Sequence, residues 1–152
     1  MDEPKSTDFL PVVHHHGTGY VKWASWSDFL DGYNFKGVYK PKSYTSSSDR
    51  DLFVSMGRRL VTEAISYNVG YQVYYDTGAS GSWVEADEIT SMRCDGVVEW
   101  IYEWYGHRVY GSDTKWDVSK ADYWIRDHHG GTLITPKRQK DYMSLVTAST
   151  PK

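Results

Sequence analysis

Cys94 is the only cysteine among the 152 residues of this chain, and this narrows the ways in which the chain can fold. One thiol excludes an intrachain disulfide framework and a cysteine-rich zinc cluster, so a hydrophobic core must hold the fold together. Hydrophobic residues make up 39% of the sequence, which allows a sizeable core. The length is that of one domain, and we predict a single domain over residues 1–152 with a polar tail at residues 1–8.

The balance of charge argues against two classes of partner. Seventeen lysine and arginine residues stand against 20 aspartate and glutamate residues, which gives a net charge of −3. Such a chain lacks the basic surface that binds nucleic acid or an anionic membrane. No apolar run approaches the ~20 residues of a membrane span, and no signal-peptide-like apolar region follows Met1, so we expect no transmembrane segment.

Aromatic residues are abundant, with 13 tyrosines and 7 tryptophans. They are typical of a half-buried sheet with wet aromatic edges, and also of a surface that stacks on sugars or extended peptides. Composition leaves both interpretations open.

Two stretches have the apolar spacing of amphipathic helices. The first is expected to be capped by Asp49 or Asp51 and to stop by Gly70. The second is expected to begin near Cys94 and to end at Gly106.

The rest of the chain mixes short strands, turns and one short helix. Residues that favour strands cluster at Tyr20–Trp23, Lys36–Tyr39 and Tyr71–Tyr75. The stretch 26–33 is rich in Asp, Gly and aromatic residues and predicts a turn. Thr135-Pro136 favours the start of a short last helix.

The position of Cys94 at the predicted start of a helix has a chemical consequence. Unpaired N–H groups and the helix dipole favour negative charge there, which predicts a lowered thiol pKa. Arg93 adds a nearby positive charge, and Gly96 is expected to leave room for a substrate backbone. Such a thiolate, with a histidine from elsewhere as its proton partner, suits nucleophilic catalysis. The alternative is a buried structural cysteine.

The segment around Cys94 resembles a known family. Residues 93–99, Arg-Cys-Asp-Gly-Val-Val-Glu, are similar to the Asp-Cys-Ser-Gly-Leu-Val segment of the NlpC-type papain-like cysteine peptidases. Residues 60–64 followed by Gly70-Tyr71 are similar to the first helix of that family and its Gly-x-Pro-Tyr turn. Residues 133–139 loosely resemble its Leu-Pro-Arg-x-Ser-x-x-Gln stretch, so the resemblance covers roughly residues 52–145.

The chain also departs from the family pattern. Asp95 stands where the family has Ser, and Arg93 where it has Asp. The family places its catalytic histidine on a strand after the cysteine, whereas a histidine-rich strand here precedes it, at residues 14–16. That order resembles the circularly permuted branch of the superfamily. Permutation preserves the site, because proximity in space and not chain order sets the chemistry. The resemblance implies an α+β papain-like fold, circularly permuted, with an antiparallel sheet packed against the Cys94 helix.

The resemblance makes His15 the first candidate for the general base, because residues 15–17 fit the His-x-Gly register of the family. His16 and then His14 are the alternatives, since alternation along a strand sends neighbouring side chains to opposite faces. An exposed histidine run without catalytic function is also open.

The other histidines are weaker candidates. His128 and His129 lie in a polar, Gly-rich stretch, where they line a cleft or are solvated. His107 follows Cys94 by a helix length of about 20 Å, and we interpret it as a cation at the end of the helix. A zinc hydrolase is a separate hypothesis, with His14 and His16 as ligands and Asp28 or His129 completing the site.

The resemblance also implies helpers around the Cys–His pair. Asp28, with Asp31 as alternative, is the candidate third residue that orients the histidine. Tyr71, Tyr74 or Tyr75 is the candidate partner of the Cys94 N–H in binding an oxyanion. Ordinary sheet aromatics are the alternative reading of each tyrosine.

The function implied is a cysteine hydrolase, an amidase or endopeptidase that cleaves peptidoglycan stem peptides without a cofactor. The candidate substrate-binding residues are then Arg93, Asp95, Tyr71 and Tyr75. The resemblance also implies a secreted or cell-envelope location. The permuted branch also includes enzymes that act on acyl lipids. The remaining alternative is a non-enzymatic, aromatic-rich module that binds glycan or cell wall.

Overall fold

The computed structural model describes residues 12–15, 17–44, 46–75, 84–112 and 134–149. The architecture is a mixed α+β arrangement of short strands and helices. The strands are β1 (Val12–His14), β2 (Lys22–Ala24), β3 (Val38–Pro41), β4 (Ser66–Tyr67), β5 (Val73–Tyr75), β6 (Ile89–Met92) and β7 (Met143–Thr147). The helices are α1 (Trp26–Leu30), α2 (Ser47–Thr62), α3 (Cys94–Trp104) and α4 (Pro136–Gln139), with 3-10 turns at Ala86–Glu88 and Lys140–Tyr142.

The strands form three small sheets. β1 pairs with β2 and β3 pairs with β7, both antiparallel, and the third sheet has the order β4-β6-β5. Most pairs are antiparallel, but β4 and β6 run parallel. Helix α2 ends just before β4, and β6 leads directly into α3.

Backbone hydrogen bonds extend the β1–β2 hairpin onto β4. The N–H of Val21 donates to the carbonyl of Ile65 at 2.9 Å, and the N–H of Tyr67 donates to that of Gly19 at 3.0 Å. Between them, Tyr20 and Ser66 form an antiparallel bridge. Five of the described strands therefore follow one another side by side in the order β1, β2, β4, β6, β5, while β3 and β7 form a separate pair.

Helix α2 corresponds to the first predicted helix, but it begins and ends at residues other than those predicted. Ser46 is its N-cap, and Asp49 completes a capping box by accepting the Ser46 N–H. The helix stops at Thr62, well before Gly70, and Ala64 turns the chain with a φ of 52°. Ile65, which continues the apolar spacing of α2 in the sequence, lies outside the helix and is buried just before β4.

Helix α3 begins at Cys94, as the sequence predicts, and ends at Trp104. Gly96 does not face an open substrate channel, because a Cβ there would overlap the carbonyl oxygen of Gln72. The missing side chain instead allows α3 to approach the backbone beside β5. On its apolar side, Val97, Trp100 and Ile101 enter the core.

Three smaller features complete the comparison with the sequence. The predicted turn at 26–33 contains the short helix α1, capped by Ser25, whose side chain accepts the Asp28 N–H. The last helix starts at Pro136 with Thr135 as N-cap, as predicted. Strand β7 was not predicted. In the described ranges, no helix is both long and apolar enough to cross a membrane.

Candidate functional site

Cys94 lies where a buried strand turns into a helix. Met92 ends β6 with its side chain fully buried, and Arg93 is the extended N-cap residue before the first helical position. The Arg93 N–H still donates to the carbonyl of Gln72 at 3.0 Å, which ties this corner to the residue before β5. The thiol is half-buried at this corner.

The thiol pKa moves in the direction opposite to the sequence prediction. Burial raises the pKa of Cys94, and the negative charge of Asp95 raises it further. The N–H groups of Asp95 and Cys94 and the charge of Arg93 oppose this shift without overcoming it. The helix start thus does favour the thiolate, but desolvation outweighs it.

Arg93 contributes little to the thiol because its charge is paired. Its Nε donates to Asp95 Oδ1 at 2.9 Å and its terminal NH2 group donates to Asp95 Oδ2 at 2.8 Å. The two side chains are 9% and 3% exposed, so this is a buried, bidentate ion pair. Both residues were predicted to bind substrate, and the structure places both in the interior.

Amide side chains complete the interior polar cluster. Gln72 Nε2 donates to Asp95 Oδ2 at 3.3 Å and also to a carboxylate oxygen of Glu99. Gln139 Nε2 donates to the Asp95 carbonyl at 3.1 Å. We call these residues the polar cluster: Gln72, Arg93, Asp95, Glu99 and Gln139. It fixes the first turn of α3 and therefore the direction of the thiol.

His15 lies directly after β1 and is 5% exposed. Burial lowers its pKa, because the charged ring would lose its hydration, while the nearby backbone of Ser66 and Ile65 acts against this shift. In the described part of the chain, neither ring nitrogen has a hydrogen-bond partner of good geometry. His15 is thus a neutral imidazole at neutral pH.

Tyr67 contacts His15 and lies close enough to Cys94 for the charge of the thiolate to act on its hydroxyl. Its ring meets the His15 ring edge-on, with the centroids 4.9 Å apart. Burial raises the Tyr67 pKa, and the negative charges of Cys94 and Asp95 raise it further. Tyr67 also pairs with Met92 across β4 and β6, two residues before the thiol. Sequence reasoning missed this residue, because nothing local distinguishes it from the other tyrosines.

The other tyrosine candidates lie on and beside β5. The rings of Tyr71 and Tyr74 pack against each other with centroids 4.9 Å apart, and both are half-buried. Tyr75 is part of the hydrophobic core. Its position follows from the alternation of β5, in which Val73 and Tyr75 are the buried residues.

The acidic candidates lie on α1. Asp28 is exposed, and its carboxylate makes no hydrogen bond or ion pair with a described residue. Asp31 is the exposed C-cap of α1, with a left-handed φ of 37°. Among the described residues, the ring contact of His15 is with Tyr67 and not with either acidic candidate.

The remaining histidines differ in their surroundings. His14 is buried and its ring meets Phe29 of α1 edge-on at 5.5 Å. His107 follows α3, and its Nδ1 forms a hydrogen bond with Ser43 Oγ at 2.9 Å. His16, His128 and His129 lie outside the described residues. Across the described ranges, no three His, Cys, Asp or Glu side chains gather as a metal site requires.

Comparisons with protein-family models, curated proteins and solved structures found no match to this chain. The resemblance to NlpC-type peptidases therefore stays a prediction. The functional argument rests on the corner formed by Cys94, Tyr67 and His15.

Proposed function

We propose that the protein is a cysteine hydrolase whose nucleophile is Cys94. The observation that carries this proposal is the position of Tyr67, whose ring contacts a buried neutral imidazole and whose hydroxyl is affected by the charge of a half-buried thiol at a helix start. A nucleophile, a base and a neutral hydroxyl donor are the three groups that acyl transfer requires.

The pKa directions favour a neutral Cys–His pair over a preformed ion pair. The raised pKa of Cys94 keeps the thiol protonated at neutral pH, so a base must remove the proton as attack proceeds. The lowered pKa of His15 keeps its imidazole able to accept that proton. The pair thus works by general base catalysis at the moment of bond formation.

The reaction follows from these groups. Cys94 Sγ forms a bond to the carbonyl carbon of an amide while His15 takes the thiol proton, and the carbonyl electron pair moves onto oxygen. The oxyanion collapses, the amine leaves with the proton from His15, and a thioester remains on Cys94. Water, deprotonated by His15, then attacks the thioester and releases the acid and the free thiol.

Tyr67 has a distinct role in this scheme. Its raised pKa keeps the hydroxyl protonated, so it can donate a hydrogen bond to the oxyanion. The N–H of Asp95, which already lies near the sulfur, is the second donor. The Tyr67 ring also positions His15, so hydroxyl and ring serve different purposes.

The substrate class rests on the resemblance alone. It supports an amide bond in peptidoglycan stem peptides, with acyl-lipid substrates as the alternative within the same mechanism. Arg93 and Asp95 act by positioning Cys94 in this proposal, since both are buried. Asp28 has no assigned part, since it is exposed on α1.

The decisive experiment is digestion of purified peptidoglycan fragments, with mass spectrometry to identify new amino and carboxyl termini. Wild-type protein is expected to produce both termini, and Cys94→Ala neither. Tyr67→Phe keeps the ring against His15 and removes only the donor, so we expect a loss of about 10²–10³-fold in kcat. Asp28→Asn is the matched control, with activity close to wild type.

Alkylation by iodoacetamide across pH tests the pair without a substrate. We expect the rate at Cys94 to keep rising above pH 9.0, the ordinary thiol pKa, because the folded thiol ionises later. A thiolate that reacts fully below pH ~7 would contradict the neutral pair. Full hydrolytic activity in Cys94→Ala would refute the function itself.

A non-enzymatic wall-binding module is the second candidate, favoured by aromatic side chains around α1. Trp26 contacts Phe29 and Phe35 with centroids 6.1 and 6.5 Å apart, and Tyr33 nearby in sequence is 71% exposed. Aromatic faces of this kind stack on sugars. Cosedimentation with cell wall that is lost in Tyr33→Ala and Phe29→Ala, but kept in Cys94→Ala, would favour this candidate.

A further inference from the structure

An apolar pocket of about 490 Å³ opens between α2, α3 and the strands β1 to β3. Its volume lies within the range of about 300–1,000 Å³ that is typical of small-molecule sites. Phe53 and Val54 of α2 face Val98 and Ile101 of α3 across it. The described lining residues do not include Cys94, Tyr67 or His15, so the pocket is separate from the proposed active site.

Two positive side chains border this apolar cavity. The Lys40 Nζ lies 4.9 Å from the centre of the Tyr44 ring, and Lys40 has no carboxylate partner among the described residues. Arg50 lies 3.5 Å from Asp51, but both side chains are about 70% exposed and such pairs are weak. The described lining carries no acidic side chain.

We propose that this pocket binds an amphipathic carboxylate of the fatty-acid type, taken up as a monomer from solution. The hydrocarbon tail lies between α2 and α3, and the carboxylate lies between Lys40 and Arg50. A neutral apolar ligand leaves Lys40 without a carboxylate among the described residues and Arg50 with only its weak surface pair to Asp51, and a cationic amphiphile is repelled by both cations. The proposal does not depend on the hydrolase function.

Calorimetric titration with decanoate, 1-decanol and decyltrimethylammonium tests the charge preference. Decanoate is expected to bind saturably at one site, with an affinity that falls as salt is added, because ions screen the carboxylate. Decanol is expected to bind more weakly and without salt dependence. The cationic amphiphile is expected not to bind.

Substitutions separate the roles of the rim and the cavity. Lys40→Met and Arg50→Met each keep an apolar stem and are expected to raise the Kd for decanoate about two- to fivefold, leaving decanol unchanged. Lys42→Met is the matched control, since Lys42 is exposed in the next turn and does not line the pocket. Val98→Trp fills the cavity and is expected to abolish binding of both ligands.

Three results would overturn the proposal. The first is no saturable binding of decanoate, and the second is an affinity for decanoate in the Lys40→Met and Arg50→Met variants that equals that of the wild type. The third is association with anionic vesicles without binding of monomeric decanoate. Arg50 is exposed and Lys40 is half-buried with its stem kept in Lys40→Met, so both rim variants are expected to fold even if Val98→Trp does not, and the test stands without it. Cys94→Ser is expected to bind decanoate as the wild type does, so this proposal and the hydrolase proposal fail separately.

Discussion

Helix α3 borders two regions of contrasting chemistry. At its start, the polar cluster places charges and amides in the interior, joined by hydrogen bonds. One turn later, Val97 and Ile101 line the apolar pocket. The first region depends on every partner being present, because a buried charge without its partner is costly. The second depends on volume and shape, which tolerate small changes.

The largest expected effect comes from breaking the buried ion pair. Asp95→Ala removes the bidentate Asp95 carboxylate from the buried Arg93 guanidinium, so we expect a loss of about 3–5 kcal/mol in the free energy of unfolding. Denaturant unfolding followed by tryptophan fluorescence measures it. The double variant Arg93→Met/Asp95→Leu removes both charges and should recover most of the loss. An Asp95→Ala variant as stable as the wild type would mean that the contact with Asp95 does not stabilise the fold.

A smaller effect is expected where α3 approaches the backbone of Gln72. Gly96→Ala forces the two apart, and overpacking of this kind costs about 1–3 kcal/mol. Gly57→Ala in α2 is the matched control, because its Cβ would meet only the Val13 side chain, at 3.2 Å. There the gain in helix propensity of about 0.5–1 kcal/mol offsets the contact. Equal losses in the two variants would contradict the close approach at Gly96.

The apolar region should respond less to a conservative change. Ile101→Val removes one methylene from a residue that is 8% exposed, and we expect a loss of about 0.5–1.5 kcal/mol. Thermal unfolding at several pH values measures it. The loss should be the same at each pH, and a pH-dependent loss would mean that the pocket and the polar cluster are coupled.

The smallest expected effect comes from His15 and concerns how steeply the free energy of unfolding varies with pH. Its folded pKa lies below the ordinary value of 6.5, so the unfolded chain binds the proton first as pH falls. The free energy of unfolding should therefore decrease as pH falls through 6.5, until the folded pKa is reached. His15→Phe should flatten that part of the curve. An unchanged slope would show that another group is responsible.

Local sequence patterns predicted the presence of α2 and α3 better than they predicted the residues at which the helices begin and end. The spacing of Phe53, Met56 and Leu60 identifies α2, and that of Val97 and Ile101 identifies α3. The sequence predicted Asp49 or Asp51 as the cap of α2, whereas Ser46 holds that position and Asp49 is the other member of its capping box.

The site was harder to predict because its contacts join distant strands. Cys94 was found from its place at a helix start, a local property. Tyr67 becomes its neighbour only through the pairing of β4 with β6, and Arg93 loses its expected effect only through Asp95. The direction of the thiol pKa depends on burial, which a single sequence does not give.

The hydrogen bond from Gln139 to the Asp95 carbonyl has a consequence for how the protein folds during its synthesis on the ribosome. The start of α3 and strand β3 each take a partner from residues 134–149, the last described part of the chain. A nascent chain can form the hairpin, α2 and most of α3 from earlier residues. The first turn of α3 gains its hydrogen bond from Gln139 only after residue 139, which is added to the chain 45 residues after the thiol itself, has left the exit tunnel.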